Sequence, residues 1–123
     1  MLKRSLDSVR IFYPEIDRDN LILVLKDEIG KISERLRIRI VILFGSYATG
    51  RYTPASDIDL LVVVEDEDKE KTYSEIFKNL KISNFQLHLY TLKEYEKMKT
   101  NRSLFIKEVE KRGIPIKINT GEV

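Results

Sequence analysis

A seven-residue stretch near the middle of the sequence, Ile58–Val64, is apolar at every position except Asp59. Short, continuous runs of Val, Ile and Leu are typical of strands that are buried on both faces of a sheet. The stretch therefore predicts a central strand that is covered on both sides. A chain of 123 residues with 42% apolar content is long enough to bury such a strand within one domain.

Segments with helical and strand periodicity lie on both sides of this strand. Apolar residues spaced three and four apart predict helices, and alternating ones predict strands. The predicted order is a helix at 19–36, strands at 38–44 and 58–64, a helix at 69–80, a strand at 84–91, and helices at 92–99 and 103–112. Asp17 or Asp19 is the expected N-cap of the first helix, and the last helix is expected to end at Gly113, with Pro115 beyond it. This order indicates an α+β (α/β two-layer) fold, a small mixed sheet flanked by helices.

The same patterns divide the chain into one domain and two terminal segments. We expect an N-terminal extension at 1–18, a domain at 19–118 and a C-terminal tail at 119–123. Leu2, Leu6 and Val9 suggest a short helix in the extension. Within the helix at 69–80, the spacing predicts one buried face, formed by Tyr73, Ile76, Phe77 and Leu80.

Composition excludes several classes of protein. The sequence has no cysteine and one histidine, His88, which excludes disulfide scaffolds, thiolate metal sites and multi-histidine metal clusters. The 22 basic and 20 acidic residues are too balanced to indicate a nucleic-acid partner. No apolar run approaches the roughly 18 to 20 residues of a membrane span, and the N-terminus lacks the pattern of a secretory signal. We therefore expect a cytoplasmic protein that binds neither membranes nor nucleic acids directly.

Two aspartates open the central strand. Asp57 and Asp59 are two residues apart, so their side chains point to the same face of the sheet. Carboxylates this close repel each other unless a cation lies between them, and Mg²⁺ commonly bridges one or two carboxylates to substrate phosphates. The alternative is that both aspartates cap the exposed start of the strand, with Asp57 closing an Asx-turn after Ser56.

A glycine–serine pair follows the preceding strand. Gly45 lets backbone N–H groups approach a ligand, Ser46 adds a hydroxyl group, and Gly50 closes the short helical turn expected after them. On its own, a Gly-Ser pair in this position is an ordinary helix N-cap. Together with the aspartates at the start of the neighbouring strand, it indicates a site for a metal ion and a triphosphate.

The stretch Leu43–Val64 resembles the signature of the polymerase-β-type nucleotidyltransferases. The resemblance rests on Gly45-Ser46, ten intervening residues and Asp57-Ile58-Asp59, with Phe44 before them and Leu60-Leu61-Val62 after them. By length, the closest branch is the minimal nucleotidyltransferases, many of which act as antitoxins to a HEPN-domain ribonuclease. The specific motif covers 43–64, and the order of elements fits the family from about 19 to 112.

The resemblance implies a Mg²⁺-dependent transfer of a nucleoside monophosphate, AMP from ATP or the equivalent from another NTP, to a hydroxyl acceptor. It implies that Gly45 and Ser46 hold the β- and γ-phosphates, and that Asp57 and Asp59 are catalytic and hold one or two Mg²⁺ ions. In the antitoxin branch, the acceptor is a tyrosine of the HEPN toxin. We therefore also expect a protein partner and a homo-oligomer or hetero-oligomer.

The sequence departs from this family at the third carboxylate. Family members with full activity carry an aspartate on the next strand, in a pattern like Asp-Leu-x-x-Tyr-Thr, and this chain has Gln86 there. Alternation puts Gln86, His88 and Tyr90 on one face, which is predicted to be turned towards the aspartate pair. An amide can ligate through its carbonyl but cannot act as a base, and His88 is either a base, a ligand or a hydrogen-bonded structural residue. The alternative function is a catalytically weakened antitoxin that neutralises its partner by binding alone.

Basic and aromatic residues near the motif give further candidates. Arg51 and Arg39 either contact the triphosphate or lie in solvent. Tyr47 either stacks on a base or packs in the core, and Tyr52 is expected at the surface or in an interface. Transfer to a small molecule such as an aminoglycoside is a third function, disfavoured because it normally needs a second, substrate-binding domain.

Overall fold

A computed structural model describes residues 17–53, 56–65, 69–82 and 84–118. The helices are α1 (Arg18–Ser33), α2 (Ser46–Thr49), α3 (Lys69–Asn79), α4 (Leu92–Thr100) and α5 (Leu104–Arg112), and the strands are β1 (Ile38–Phe44), β2 (Ile58–Val64), β3 (Phe85–Thr91) and β4 (Ile114–Ile118). The strands form one sheet in the order β3-β2-β1-β4. The predicted α+β architecture with a small mixed sheet is confirmed.

The apolar run that predicted a central strand forms β2. This strand pairs antiparallel with β1 and parallel with β3, and β1 pairs antiparallel with β4 on its other side. Every residue of β2 except Asp59 is buried. The two strands that carry the signature motif therefore lie side by side in the middle of the sheet.

Strand β4 was not predicted from the sequence. Gly113 does end α5, but the chain then continues directly into a strand that contains Pro115. Proline lacks the N–H group that an inner strand must donate, so it reads as a breaker in a sequence. β4 accommodates Pro115 because it lies at the edge of the sheet and has β1 as its single neighbour.

Helices cover both faces of the sheet. On one face, buried residues of α1 and α3 pack against β-strand residues such as Val41, Leu60 and Val62. On the other face, α4 and α5 cover Ile42, Leu61 and Val63 with Tyr95, Ile106 and Val109. The carboxylates of the motif belong to this second face, because Asp59 alternates with Leu60 along β2.

Short polar side chains fix where the helices begin. The Asp17 carboxylate accepts the N–H of Asn20 and caps α1, one of the two N-caps expected. Thr91 and Glu94 form a capping box at the start of α4, and the Ser103 hydroxyl accepts the N–H of Ile106 at the start of α5. These caps satisfy backbone N–H groups in the first turns of α1, α4 and α5.

The prediction of which residues of the helix at 69–80 share a buried face is only half right. Ile76 and Leu80 are buried, but Tyr73 and Phe77 are 44% and 45% exposed. Thr72 is buried in their place, so the helix is rotated relative to the predicted face. Phe77 stacks on Phe85 of β3 with ring centroids 4.8 Å apart, so its partly exposed ring packs on the outer strand β3.

Two predicted segments lie outside the described residues: the short helix through Leu2, Leu6 and Val9, and the tail at 119–123. The division of the chain into an extension, a domain and a tail stays a prediction. Within the part of the chain that is described, no helix is both long enough and apolar enough to cross a membrane.

Candidate functional site

The loop after β1 has a backbone geometry that lets its N–H groups come close to a bound ligand. Gly45 has φ +79° and ψ −148°, a region that is open to glycine and strained for other residues. The single turn of α2 follows, with its N–H groups at Ala48 and Thr49 bonded to the Gly45 carbonyl. Gly50 ends the turn in the left-handed region at φ +83°. The predicted strand, turn and closing glycine are confirmed.

The register of β1 and β2 brings the glycine loop to the aspartate pair. Phe44 pairs with Asp59, so Gly45 lies beside the carboxylate of Asp59. A Cβ added at Gly45 would lie only 2.4 Å from Asp59 Oδ2. Asp57 is exposed and Asp59 is half-buried, and the charge of Asp57 acts on Asp59, as expected for two side chains on one face. The loop and the carboxylates therefore form one constellation.

Strand β3 supplies the other side of this constellation. Gln86 pairs with Asp59 in the parallel register, and its Nε2 donates a hydrogen bond to Asp57 Oδ2 at 2.9 Å. His88 Nε2 lies 3.8 Å from Asp59 Oδ1, which is too long for a hydrogen bond. This nitrogen is buried and has no hydrogen-bond partner among the described residues. The prediction that Gln86 and His88 face the aspartate pair is confirmed.

The electrostatics of the site centre on Asp59. Burial raises the pKa of the Asp59 carboxyl above its ordinary value, and the charge of Asp57 raises this pKa further. The nearby His88 acts in the opposite direction and lowers the pKa of Asp59. A half-buried carboxylate that is repelled by a second carboxylate is a group whose ionised form a cation would stabilise.

An aromatic wall beside His88 was not foreseen from the sequence. The ring of His88 lies 5.1 Å from that of Phe44 and 5.8 Å from that of Phe105. The rings of Phe44 and Phe105 are themselves 5.4 Å apart and nearly perpendicular. Alternation along β1 could have placed Phe44 on this face, but Phe105 comes from α5, whose position depends on tertiary packing.

Two tyrosines and an arginine hold α2 in place. Tyr47 is 3% exposed and stacks on Tyr52 with ring centroids 4.4 Å apart. Of the two roles left open for Tyr47, packing in the core is the one observed, and burial raises its pKa. Tyr52 was expected at the surface or in an interface, and it is instead half-buried against the core. Arg18 Nη1 donates to the Ala48 carbonyl at 3.0 Å and ties α1 to the end of α2.

The two candidate arginines occupy different ends of the molecule. Arg51 follows the glycine loop, is exposed, and donates its backbone N–H to the Ser46 carbonyl at 3.0 Å. Arg39 is near the start of β1, and its guanidinium pairs with Glu65 at 2.8 Å. Glu65 follows the far end of β2, so Arg39 lies at the opposite end of the sheet from Gly45. Of the two roles left open for Arg39, contact with a triphosphate at this loop does not fit its position, and its side chain is paired with Glu65 instead of lying free in solvent.

The donor set suits a divalent cation that is shared with a ligand. Mg²⁺ prefers carboxylate oxygens and is often held by one or two carboxylates together with substrate phosphates. Asp57 and Asp59 supply two carboxylates, and the absence of a side chain at Gly45 lets the loop after β1 approach Asp59 closely. In the described ranges, no group of three or more His, Asp or Glu side chains is placed to hold a metal ion on its own. The residues therefore fit an ion that arrives with a phosphorylated ligand.

A separate cavity of about 390 Å³ lies between α4, α5, β1 and β4. Its lining includes Ile40, Ile42, Tyr95 and Val109, and it contains none of the glycine, serine and aspartate residues of the motif. The carboxylate site and this cavity are therefore distinct features of the same face of the sheet.

Comparisons with known proteins find sequence similarity to nucleotidyltransferases. The model of the family described as "Nucleotidyltransferase domain" matches residues 20–116. A protein of Methanocaldococcus jannaschii named "Putative protein adenylyltransferase MJ0141" is 33% identical over 98 residues, which cover 78% of this chain and 98% of that protein. "Putative protein adenylyltransferase MJ0604" of the same archaeon is 61% identical over 33 residues, which cover 27% of this chain and 33% of that protein.

A solved structure also shares the fold. The crystal structure of a "putative nucleotidyltransferase" from Sulfolobus solfataricus superposes with a TM-score of 0.56 at 18% sequence identity. The matched region covers 80% of this chain and 80% of that one. At this level of identity, the similarity shows the common arrangement of helices and sheet.

Proposed function

This chain belongs to the nucleotidyltransferase domain family. From this membership we propose that it transfers AMP from ATP to a hydroxyl group in a Mg²⁺-dependent reaction. The observation that carries the proposal is the close approach of Gly45 to Asp59, which joins the glycine loop to the carboxylate pair. Such a loop and such a pair are the two parts that a site for a metal-bound triphosphate needs. The choice of ATP and AMP is supported by a relative that is named as a protein adenylyltransferase and is 33% identical to this chain.

Each residue of the constellation has a role in this proposal. Gly45 and Ser46 bind the β- and γ-phosphates through backbone N–H groups and the serine hydroxyl. Asp57 and Asp59 hold Mg²⁺, which when bound neutralises charge on the phosphates and on the departing pyrophosphate. Half-burial of Asp59 strengthens its interaction with a cation, because charges attract more strongly where water is partly excluded. Arg51, next to the loop, is a further candidate for phosphate contact.

The transfer is a displacement at the α-phosphorus of ATP. The acceptor oxygen forms a bond to this phosphorus, the bond to the oxygen that bridges the α- and β-phosphates breaks, and pyrophosphate leaves with the electron pair. The acceptor proton passes to water, since Gln86, as an amide, is not a base that could take it. A phenol, with a pKa of about 10, loses its proton far more readily than an aliphatic hydroxyl. This favours tyrosine as the acceptor.

The partner in this proposal is a HEPN-domain toxin, and the chain acts as its antitoxin. Support comes from the resemblance of the motif and the order of elements to the minimal nucleotidyltransferases, in which this pairing is common. The word "protein" in the name of the 33% identical relative also points to a protein acceptor. AMP attached to a tyrosine of the toxin would add charge and bulk where the toxin acts.

A second function is favoured by one observation, the hydrogen bond from Gln86 to Asp57. An amide stands where fully active members of the family carry a carboxylate, which weakens the case for fast chemistry. In this alternative, the chain keeps the fold of the family and neutralises its partner by contact. The alternative predicts neutralisation without any covalent change in the partner.

The test is a transfer reaction with the protein, a HEPN-domain protein of the same organism, Mg²⁺ and ATP labelled at the α- or the γ-phosphate. We expect the α-label, and not the γ-label, to appear on a tyrosine of the partner. Asp59→Asn should abolish labelling and keep the complex intact, whereas Asp27→Asn, which changes an exposed carboxylate on α1, should leave labelling unchanged. Neutralisation by Asp59→Asn without labelling would favour the binding-only alternative. Transfer of the γ-label would contradict both functions.

A further inference from the structure

An amide lies beside the aspartate pair, on the side of β3. Gln86 Nε2 donates to Asp57 Oδ2 across 2.9 Å, and Gln86 is the register partner of Asp59. An amide N–H group carries partial positive charge and has no lone pair to offer a cation. One oxygen of Asp57 is therefore paired with a donor from the strand that carries a carboxylate in fully active members of the family.

Two adjacent divalent ions need more anionic ligands than this face of the sheet supplies. Paired ions in catalytic sites lie about 3.5–4 Å apart and share carboxylate ligands between them. Across 17–53, 56–65, 69–82 and 84–118, no three His, Asp or Glu side chains come together in an arrangement that could hold an ion. Asp57 and Asp59 supply two carboxylates, and every further anionic ligand would have to come from the phosphates of the nucleotide. A second ion would have to replace the Gln86 donor and bind without a carboxylate of its own.

We infer that this site holds a single divalent ion, and that Gln86 sets this number because it orients Asp57 and adds no anionic ligand. The inference rests on the proposed function, since the ion binds between the aspartates and the phosphates of a nucleotide. Gln86 is a positioning residue: it touches Asp57 and not the reacting atoms. Because Gln86 is exposed, substitutions at this position leave the core intact.

The test counts ions and does not depend on turnover. Mn²⁺ replaces Mg²⁺ as the probe, and free Mn²⁺ is measured by electron paramagnetic resonance in the presence of α,β-methylene-ATP, which the transfer reaction cannot cleave. We expect one Mn²⁺ per complex of protein and nucleotide. Gln86→Glu keeps the size of the side chain and replaces the donor with a carboxylate, so we expect two Mn²⁺ ions per complex.

Gln86→Ala is the matched control, because it removes the hydrogen bond to Asp57 without adding a ligand. We expect one Mn²⁺ ion, bound roughly tenfold more weakly, as is common when a group that orients a metal ligand is lost. Two ions in the wild type or in Gln86→Ala, or one ion in Gln86→Glu, would overturn the inference and leave the proposed function standing. Failure of the wild type to bind the nucleotide with Mn²⁺ would overturn the proposed function, and the inference with it.

Discussion

The Cα of Gly45 lies so close to the Asp59 carboxylate that a Cβ on Gly45 would come within 2.4 Å of Asp59 Oδ2. No side chain fits in that space without moving the carboxylate or the loop. Gly45 also has a positive φ of 79°, with ψ at −148°. Both observations tie the glycine of the motif to the position of Asp59.

Gly45→Ala should therefore damage binding as well as stability. The substitution adds backbone strain of about 1–3 kcal/mol and displaces Asp59, so we expect loss of Mg²⁺-dependent ATP binding and a clearly lower midpoint in urea unfolding. Calorimetry and urea denaturation measure the two effects.

Two other glycines provide controls for this substitution. Gly50→Ala also places a side chain on a residue with positive φ, but the nearest contact of the added Cβ is Arg18 Nη1 at 4.0 Å, so it should cost about 1 kcal/mol and largely spare ATP binding. A Cβ added at Gly30, within helix α1, would have no atom within 4 Å. Gly30→Ala should therefore stabilise the fold by about 0.5–1 kcal/mol. Equal loss of ATP binding in the Gly45 and Gly50 variants would contradict the role given to the contact with Asp59.

The order of elements could be predicted because most of the sheet depends on local patterns. The continuous run of β2 and the alternation in β1 and β3 each mark a strand without reference to the rest of the chain. β4 could not be recognised in this way, because Pro115 is acceptable only at an edge and the edge is set by the topology. Tyr73 and Phe77 were misplaced for a related reason, since Phe77 stacks on Phe85 of the edge strand β3 and Tyr73 packs on Phe77.

The alternation of side chains along each strand was enough to predict which site residues share a face of the sheet. It places Asp57, Asp59, Gln86 and His88 on one face, and the structure has them there. Alternation does not say which groups meet across strands. The hydrogen bond from Gln86 to Asp57 and the aromatic wall around His88 follow from the register of β2 with β3 and from the packing of α5.

Asp59 should reduce stability at neutral pH, because its pKa is raised by burial in the folded chain. The unfolded chain ionises this group near its ordinary value of 3.8, and the folded chain ionises it only at higher pH. The free energy of unfolding therefore falls as the pH rises from 3.8 through the raised pKa of the folded chain. Below both pKa values, Asp59 is protonated in both states and costs no stability. Asp59→Asn should therefore raise the melting temperature at pH 7.

The difference in melting temperature between Asp59→Asn and the wild type should disappear below the ordinary pKa of aspartate. Thermal unfolding across a series of pH values measures this difference. Asp27→Asn, at an exposed carboxylate of α1, should show little change at any pH. A variant at Asp59 that melts below the wild type at pH 7 would show that the carboxylate stabilises the fold, against this account.

Tyr95 should contribute to stability through its hydroxyl group. This hydroxyl donates to Glu110 Oε2, and Lys99 pairs with the same carboxylate at 3.3 Å. Burial, together with the bond to Glu110, raises the pKa of Tyr95, so the hydroxyl stays a donor at neutral pH. Tyr95→Phe should lower the free energy of unfolding by about 1 kcal/mol in urea denaturation.

Tyr73→Phe, at a ring that is 44% exposed, is the control for Tyr95 and should be neutral. If Tyr95→Phe is also neutral, the bond to Glu110 makes no net contribution. A double-mutant cycle with Glu110→Gln separates this bond from the ion pair with Lys99.

The central claim is that Asp57 and Asp59 form a metal-dependent nucleotide site, and calorimetric titration with ATP tests it most directly. We predict that the wild type binds ATP with Mg²⁺ present and far more weakly without it, and that Asp57→Asn loses the Mg²⁺-dependent part while Asp27→Asn retains it. ATP binding by the wild type that is equal with and without Mg²⁺, or unchanged in Asp57→Asn, would contradict the account.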